Sequence, residues 1–277
     1  MQSDITHIIR PPKGWMHIEW RELWQQRQVF AVLVWRDIKI RYRQTFLGAM
    51  WAFLVPLCQM LVFSFIVRRI GEFPTGGIPI ALYFLAALAP WNYFSNALSQ
   101  ASDSMVRDAQ MLTKVYFPRL YVPGVPCAAG LVDLLFALVM LGGLSLWFGY
   151  WPQLTWLCVP FFIVVSAAAA FGMGAFLTSL NVLYRDVKHV IPFVLQIWMI
   201  VTVFVPYGVL PERLGVLRAL WGLNPMAAVA EGIRWSLYAT EPPPWELFLA
   251  GCGATALMMF FGVWAFKRME CTFADIV

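Results

Sequence analysis

Charge is what this sequence has least of. Only 13% of its 277 residues are Asp, Glu, Lys or Arg, against about 25% in ordinary soluble domains, while 61% are hydrophobic. Twenty basic and 15 acidic side chains cannot cover a soluble fold of this size, which excludes a soluble enzyme, a nucleic-acid module and a disordered tail together. Histidine is scarcer still, with three at positions 7, 17 and 189, and neither H-E-x-x-H nor G-x-S-x-G occurs. There is no Walker A lysine loop, so the chain does not hold ATP in the P-loop manner, and no Asp-x-Asp pair of the kind that serves metal-dependent sugar transfer. The five cysteines (58, 127, 158, 252, 271) are isolated, and four fall inside apolar runs where Cys acts as a small hydrophobe. Neither a disulfide framework nor a zinc site is indicated.

Long apolar runs are plentiful, and 22 Phe, 14 Trp and 9 Tyr are spread through them. A membrane-crossing helix needs about 20 such residues. Six candidates follow from the positions of charges and breakers. Gln44 to Val67 is uncharged and makes the first span, with Pro56 tolerated inside it because neighbouring helices satisfy the freed backbone groups. After the Gly/Pro-rich turn Pro74–Pro79, the second runs over Ile80 to Gln100, and the third over Pro126 to Phe148. No charge falls between Leu134 and Tyr184, too long a stretch for one helix; Gly149-Tyr150-Trp151-Pro152-Gln153 divides it and leaves a fourth span at Leu154 to Leu180. The fifth covers Val190 to Leu210 and the sixth Leu247 to Phe266, closed by Lys267 and Arg268.

The expected fold is therefore an all-α integral membrane protein with six transmembrane helices. Counting Lys and Arg by loop places 15 on one side and 5 on the other, which puts both termini in the cytoplasm. The opening Met1 to Gln28 is polar and mixed in charge, so it reads as part of the mature protein and not as a cleaved signal. The organisation is a cytoplasmic N-terminus over 1–44, a transmembrane domain over 45–266 and a cytoplasmic tail over 267–277. Val29 to Trp35, flanked by Arg27 and Arg36, is too short to cross and predicts an interfacial amphipathic helix. Met105 to Arg119 reads as a short cytoplasmic helix ending at Pro118. Between spans five and six, Leu214–Leu223 and Met226–Tyr238 are apolar segments split by Asn224-Pro225, of a length that suits short re-entrant or outer helices.

Three groups of residues are candidates for function. Asp133 is the one acid well inside a span; with no second intramembrane charge to pass a proton to, it reads first as a structural hydrogen bond to a neighbouring helix, and second as a relay. Arg36, Lys39, Arg41 and Arg43 lie where the interfacial helix meets the first span; they suit positive-inside anchoring, or capture of a phosphate-bearing lipid headgroup. Trp147, Phe148, Tyr150, Trp151 and Trp156 fit a membrane belt. Tyr83, Trp91, Tyr93, Trp198 and Tyr207 lie within spans, where belts do not require rings, and are the better candidates for a path whose flat faces stack on sugars.

The phrase Trp35-Arg36-Asp37-Ile38-Lys39-Ile40-Arg41-Tyr42-Arg43-Gln44-Thr45, followed by Leu47-Gly48, Trp51 and Pro56, resembles the opening of type-2 ABC exporter permeases. Ala89-Pro90-Trp91 with Phe94-Ser95, then Leu112 to Arg119, then Tyr184-Arg185-Asp186-Val187 and Leu223-Asn224-Pro225 continue the match in order over about residues 30 to 266. The similarity is greatest to the branch that exports lipid-linked polysaccharide, the O-antigen (Wzm-type) and teichoic-acid group. It implies a non-enzymatic permease in the bacterial inner membrane, homodimeric and paired with two ATPase subunits. This chain would carry no cofactor; ATP and Mg would belong to the partner. The cargo would be an undecaprenyl-pyrophosphate-linked polysaccharide, O-antigen first, with teichoic acid or capsule as alternatives. The resemblance also implies that Lys114, Tyr116, Phe117, Arg119, Arg185 and Asp186 receive the ATPase stroke. A lipid-linked-sugar transferase, the competing reading, would need clustered acids or histidines, and only His189 beside Arg185-Asp186 offers anything similar.

Overall fold

In the computed structural model, residues 20–43, 48, 50–71, 73–184, 186–205, 215–240 and 242–276 are described, and helices are the only regular structure among them. A six-residue α1 (Trp20–Gln25) leads into α2 (Arg27–Arg43), and α3 (Met50–Ile70) is the first long apolar helix. Then come α4 (Ile80–Arg107), a four-residue turn α5 (Ala109–Leu112) and α6 (Tyr121–Trp147). A 3-10 turn (Leu154–Cys158) opens α7 (Val159–Leu183), followed by α8 (Val187–Phe204), α9 (Gly215–Gly222), α10 (Pro225–Tyr238) and α11 (Trp245–Ile276).

Among the described residues, five helical stretches are long and apolar enough to cross a membrane: Met50–Arg69, Tyr121–Trp147, Leu154–Leu183, Val187–Phe204 and Phe248–Glu270. The predicted second span, α4, is not one of them by composition, although its 28 residues would measure about 42 Å at 1.5 Å per residue. Its surroundings explain the difference. α4 packs against α3, α6, α7, α8 and α10 at once, and every residue from Leu82 to Trp91 is buried. A helix wrapped by protein instead of lipid can carry polar groups that its neighbours satisfy. Asn92 donates to Gln59 at 2.6 Å, Thr178 donates to the Ala101 carbonyl at 2.7 Å, and Asn181 to that of Ser102 at 3.0 Å. The outer helices show the complementary pattern, with Leu61, Val62 and Phe65 of α3 and Phe193, Val194 and Ile197 of α8 facing outward.

The breaks follow local chemistry. α6 ends in a Schellman cap: Gly149 has φ +85°, its N–H donates to the Leu146 carbonyl at 3.0 Å, and Tyr150 N–H reaches the Ser145 carbonyl at 2.9 Å. This is the predicted division of the long uncharged stretch. α10 begins with an Asn224 side chain that accepts from the backbone N–H of Met226 and Ala227, with Pro225 at the first helical position. The two predicted segments between spans five and six are therefore two helices, separated where expected.

Besides α6, which starts at Tyr121 instead of Pro126, and α2, which covers Arg27–Arg43 instead of Val29 to Trp35, three boundaries differ from the sequence reading. α8 stops at Phe204 and not Leu210, because Val205 precedes a proline, which disfavours helical backbone, and takes φ −112°, ψ 95°; residues 206–214 lie outside the described set. The short helix expected over Met105–Arg119 is not one element. α4 continues through Arg107, α5 covers only Ala109–Leu112, and the chain ahead of Pro118 is non-helical. α11 runs unbroken through Lys267 and Arg268, so the edge expected at 266 falls inside a 32-residue helix. That helix lies so close to α7 that a methyl group on Gly262 would come within 1.8 Å of the Gly172 carbonyl oxygen, the small-residue contact by which membrane helices approach.

A second buried cluster ties one end of the bundle together. Leu33 of α2, Met105, Phe117, Tyr121, Val125, Val182 and Phe266 share it, with Phe30 and Val34 against them. α2 therefore lies on the bundle by one face, while Trp24 of α1 and Val32, Trp35 and Ile40 of α2 point away, each more than half exposed.

Candidate functional site

The four basic residues of α2 do not act as one cluster, because the helical turn sends them in different directions. Arg36 turns toward the end of α4, donating to Asp108 at 3.2 Å and lying 3.9 Å from Asp37; Arg107 meets Asp37 at 3.8 Å and Asp108 at 3.3 Å. Lys39 sits 5.4 Å from the Trp35 ring on the outward face, and Arg43 is exposed. Arg41 points inward and forms an ion pair with Asp133 of α6, while its second terminal nitrogen donates to Gln100 of α4 at 3.0 Å. Tyr42 donates its hydroxyl to the other Asp133 oxygen. Burial, and then the Asp133 carboxylate, push the Tyr42 phenol above its usual range, so it remains a protonated donor. Asp133 thus bonds a neighbouring helix, as its first reading expected, and the neighbour is α2.

This ion pair forms the common floor of two clefts. One, of about 360 Å³, opens between the end of α2 and α4 and is lined by Asp37, Ile40, Arg41, Asn96, Gln100, Arg107 and Asp133. The other, of about 210 Å³, runs between α3, α4 and α6. Its walls are mostly apolar: Trp51, Ala52, Val55 and Pro56 of α3 face Ala89 and Tyr93 of α4, with Leu134 and Ala137 of α6. Arg41, Asn96 and Asp133 line both. The combined space is charged at one end and hydrocarbon-like at the other.

The aromatic candidates are mostly interior. Tyr83, Trp91 and Tyr93 are each at most 3% exposed. Trp91 and Trp198 meet edge to face with ring centres 5.9 Å apart, and Phe94 closes the group at 5.2 Å from Trp198. Tyr93 donates to the Cys127 carbonyl at 3.0 Å, and of the four described rings it is the one that lines a cleft. Tyr207 lies outside the described residues. The structure therefore brings Trp91 and Trp198 together, and sets Tyr83 apart with Arg234.

Of the residues expected to meet an ATPase, Lys114 and Tyr116 project outward, whereas Phe117 is 4% exposed and anchors their loop in the second buried cluster. Arg119 donates to the Glu270 carbonyl at 2.7 Å and staples that loop to α11. Asp186 is exposed at the start of α8, and Arg185 lies outside the described residues.

Two residues escaped the sequence reading. Arg234, counted there as an outer-loop charge, is 2% exposed within α10. It donates to the Tyr83 carbonyl at 3.2 Å, the Val203 carbonyl at 3.4 Å and Glu231 at 3.0 Å, with its guanidinium carbon 3.6 Å from the Tyr83 ring centre. Asn224, besides capping α10, accepts from the Trp198 indole at 3.0 Å and donates to Thr202 at 2.9 Å. The Glu231–Arg234 spacing inside a small, apolar segment is the signal that could have revealed the first; Asn-Pro before that segment was read as a break, but its side-chain partners were not readable.

Five membrane-length helices among the described residues, a short α10 tied by buried polar groups to α4 and α8, and a cleft charged at one end and apolar at the other are the make-up of a multi-pass membrane protein. The profile of the ABC-2 type transporter family matches residues 28–238, and the chain belongs to that family. It is 28% identical over 265 residues to the O-antigen export system permease protein RfbA of Myxococcus xanthus, covering 93% of this chain and 98% of that one. Two Klebsiella pneumoniae proteins with the same description are 22% and 20% identical, each over 90% of this chain and 95% of their own length.

Proposed function

We propose that this chain is the membrane subunit of an ABC exporter that moves an undecaprenyl-pyrophosphate-linked polysaccharide, O-antigen, across the bacterial inner membrane. The observation that carries the reading is the cleft, whose polar floor at Arg41 suits a phosphate and whose apolar walls suit a hydrocarbon chain. Near full-length similarity to three proteins described as O-antigen export permeases supports the same cargo. α4 is the second of six spans, shielded from lipid by its neighbours, and the 15-to-5 distribution of basic residues supports cytoplasmic termini. α2 lies in the headgroup layer, with Trp24, Trp35 and Ile40 toward lipid.

Two copies pair with two ATPase subunits, which hold the ATP and Mg. Closure of the ATPases pushes on the 109–119 loop and the Tyr184–Lys188 segment, and the anchoring of Phe117 and Arg119 carries that movement into α6 and α11. The pyrophosphate meets Arg41, with Arg36, Lys39 and Arg43 around the end of α2, and the glycan passes between the two copies. Tyr93 meets it first; Trp91, Trp198 and Tyr83 are uncovered when the helices part. A sugar transferase is disfavoured because Asp133, the one acid deep in a span, is held by Arg41 and Tyr42 instead of by a second acid.

Copurification tests the reading. The chain should hold a P-loop ATPase through purification, and lipid-linked glycan should raise that ATPase's turnover. Arg119→Glu should retain the complex yet remove the stimulation. Failure to retain any ATPase, or glycan synthesis by the chain alone, would overturn it.

A further inference from the structure

The Arg41–Asp133 pair stands where the two clefts meet, since both residues line each of them. Arg41, which lines both clefts, and Tyr42, which lines the apolar one, both donate to the same carboxylate. Asp133 is 27% and Arg41 21% exposed, so the pair is open to the cleft instead of sealed in the core. The charged groups facing this space are Arg41 and Arg107 on one side and Asp37 and Asp133 on the other, which leaves the floor neutral at rest. Asp37 is engaged with Arg36 and Arg107, at 3.9 and 3.8 Å. Asp133 therefore controls whether the floor has a cation to offer.

Resting on the headgroup reading above, we infer that Asp133 occupies the seat of a phosphate: an amphipathic ligand with a phosphate or pyrophosphate head and an isoprenoid tail displaces its carboxylate from Arg41 and Tyr42 and lays its tail against Val55, Leu134 and Ala137. One terminal nitrogen of Arg41 is held by Gln100 and the other by Asp133, so carboxylate and phosphate compete for the same N–H. Phosphate brings more charge and more acceptor oxygens to the same two donors. The exchange also releases the two bonds by which the last turn of α2 holds Asp133 of α6. Gln100, which accepts from Arg41 at 3.0 Å, keeps the guanidinium aimed at the cleft while its partner changes.

The test is equilibrium binding of labelled farnesyl pyrophosphate to the full-length protein in phosphatidylcholine nanodiscs. Asp133→Asn keeps one acceptor oxygen but removes the competing charge; binding should tighten by roughly two- to fivefold, the scale on which a partly exposed ion pair is lost. Asp133→Glu should bind like wild type, and Arg41→Ala at least about tenfold more weakly. Unlabelled inorganic pyrophosphate and farnesol should each compete far less well than farnesyl pyrophosphate. Unchanged or weaker binding by Asp133→Asn, with loss in Arg41→Ala, would overturn the exchange while leaving the headgroup reading standing. Equal binding by Arg41→Ala and wild type would overturn the headgroup reading itself. Inorganic pyrophosphate competing as well as farnesyl pyrophosphate would assign the floor to a free anion and remove the lipid. On the wild-type protein, carbodiimide labelling of Asp133, located by peptide mass spectrometry, should speed up when farnesyl pyrophosphate is added; an unchanged or slower rate would contradict displacement.

Discussion

Replacing Arg234 should strongly destabilise the packing of α10 on α4 and α8. Its guanidinium is 2% exposed and bonds three elements: Tyr83 of α4, Val203 of α8 and Glu231 of its own helix. Hydrogen bonds from a charged group contribute about 1.5–3 kcal/mol each, and the stacking on Tyr83 about 2 kcal/mol when desolvated, but these do not add because the guanidinium itself costs energy to bury. Removing one member of a buried ion pair has an overall cost of about 3–5 kcal/mol, and that is the expected loss for Arg234→Ala. Arg234→Lys should recover only a minority of it, since a single ammonium cannot span three acceptors in different directions. Loss of α10 anchoring should appear as earlier exposure of the buried Cys127 thiol to a maleimide dye during heating. A double change, Arg234→Met with Glu231→Gln, should be less harmful than Arg234→Ala because no charge is left unpaired. An unfolding midpoint for Arg234→Ala indistinguishable from wild type would refute the reasoning.

Two further predictions follow from close contacts. Gly262→Ala should separate α7 from α11, because the added methyl meets the Gly172 backbone at 1.8 Å, whereas Gly253→Ala on the same helix meets nothing within 4 Å and should be neutral to slightly stabilising, by up to about 1 kcal/mol; detergent thermal stability of the pair distinguishes them. Asn224→Ala removes both the α10 cap and the bridge to Trp198 and Thr202. It should cost about 1–2 kcal/mol from the cap alone, while Asn224→Asp, which keeps the cap, should cost less; thermal unfolding of both variants checks the order.

Helices and breaks were legible because they depend on neighbours in the chain. α6 ends through bonds from Gly149 and Tyr150 to residues three and five positions earlier in turn, and Asn224-Pro225 starts α10 through bonds to the next three. The interior of α4 was less legible, since Asn92 and Gln100 look unsuited to a span until Gln59 and Arg41 are seen beside them. The site was legible only as residue types. Arg41 and Asp133 are 92 positions apart, and Arg234 and Tyr83 are 151 apart; no periodicity brings such partners together. The four basic residues of α2 were grouped by proximity in the chain, and the helical turn separates them into an inward pair-former, an end network and two outward cations.

The most direct measurement of the central proposal is where the lipid-linked glycan accumulates when this chain is removed from cells. The account predicts that surface polysaccharide disappears while undecaprenyl-pyrophosphate-linked glycan builds up on the cytoplasmic face, inaccessible to an external lectin, and that the wild-type chain reverses both. Unchanged surface polysaccharide, or its loss with no accumulated lipid-linked glycan, would contradict an exporter and point to synthesis instead.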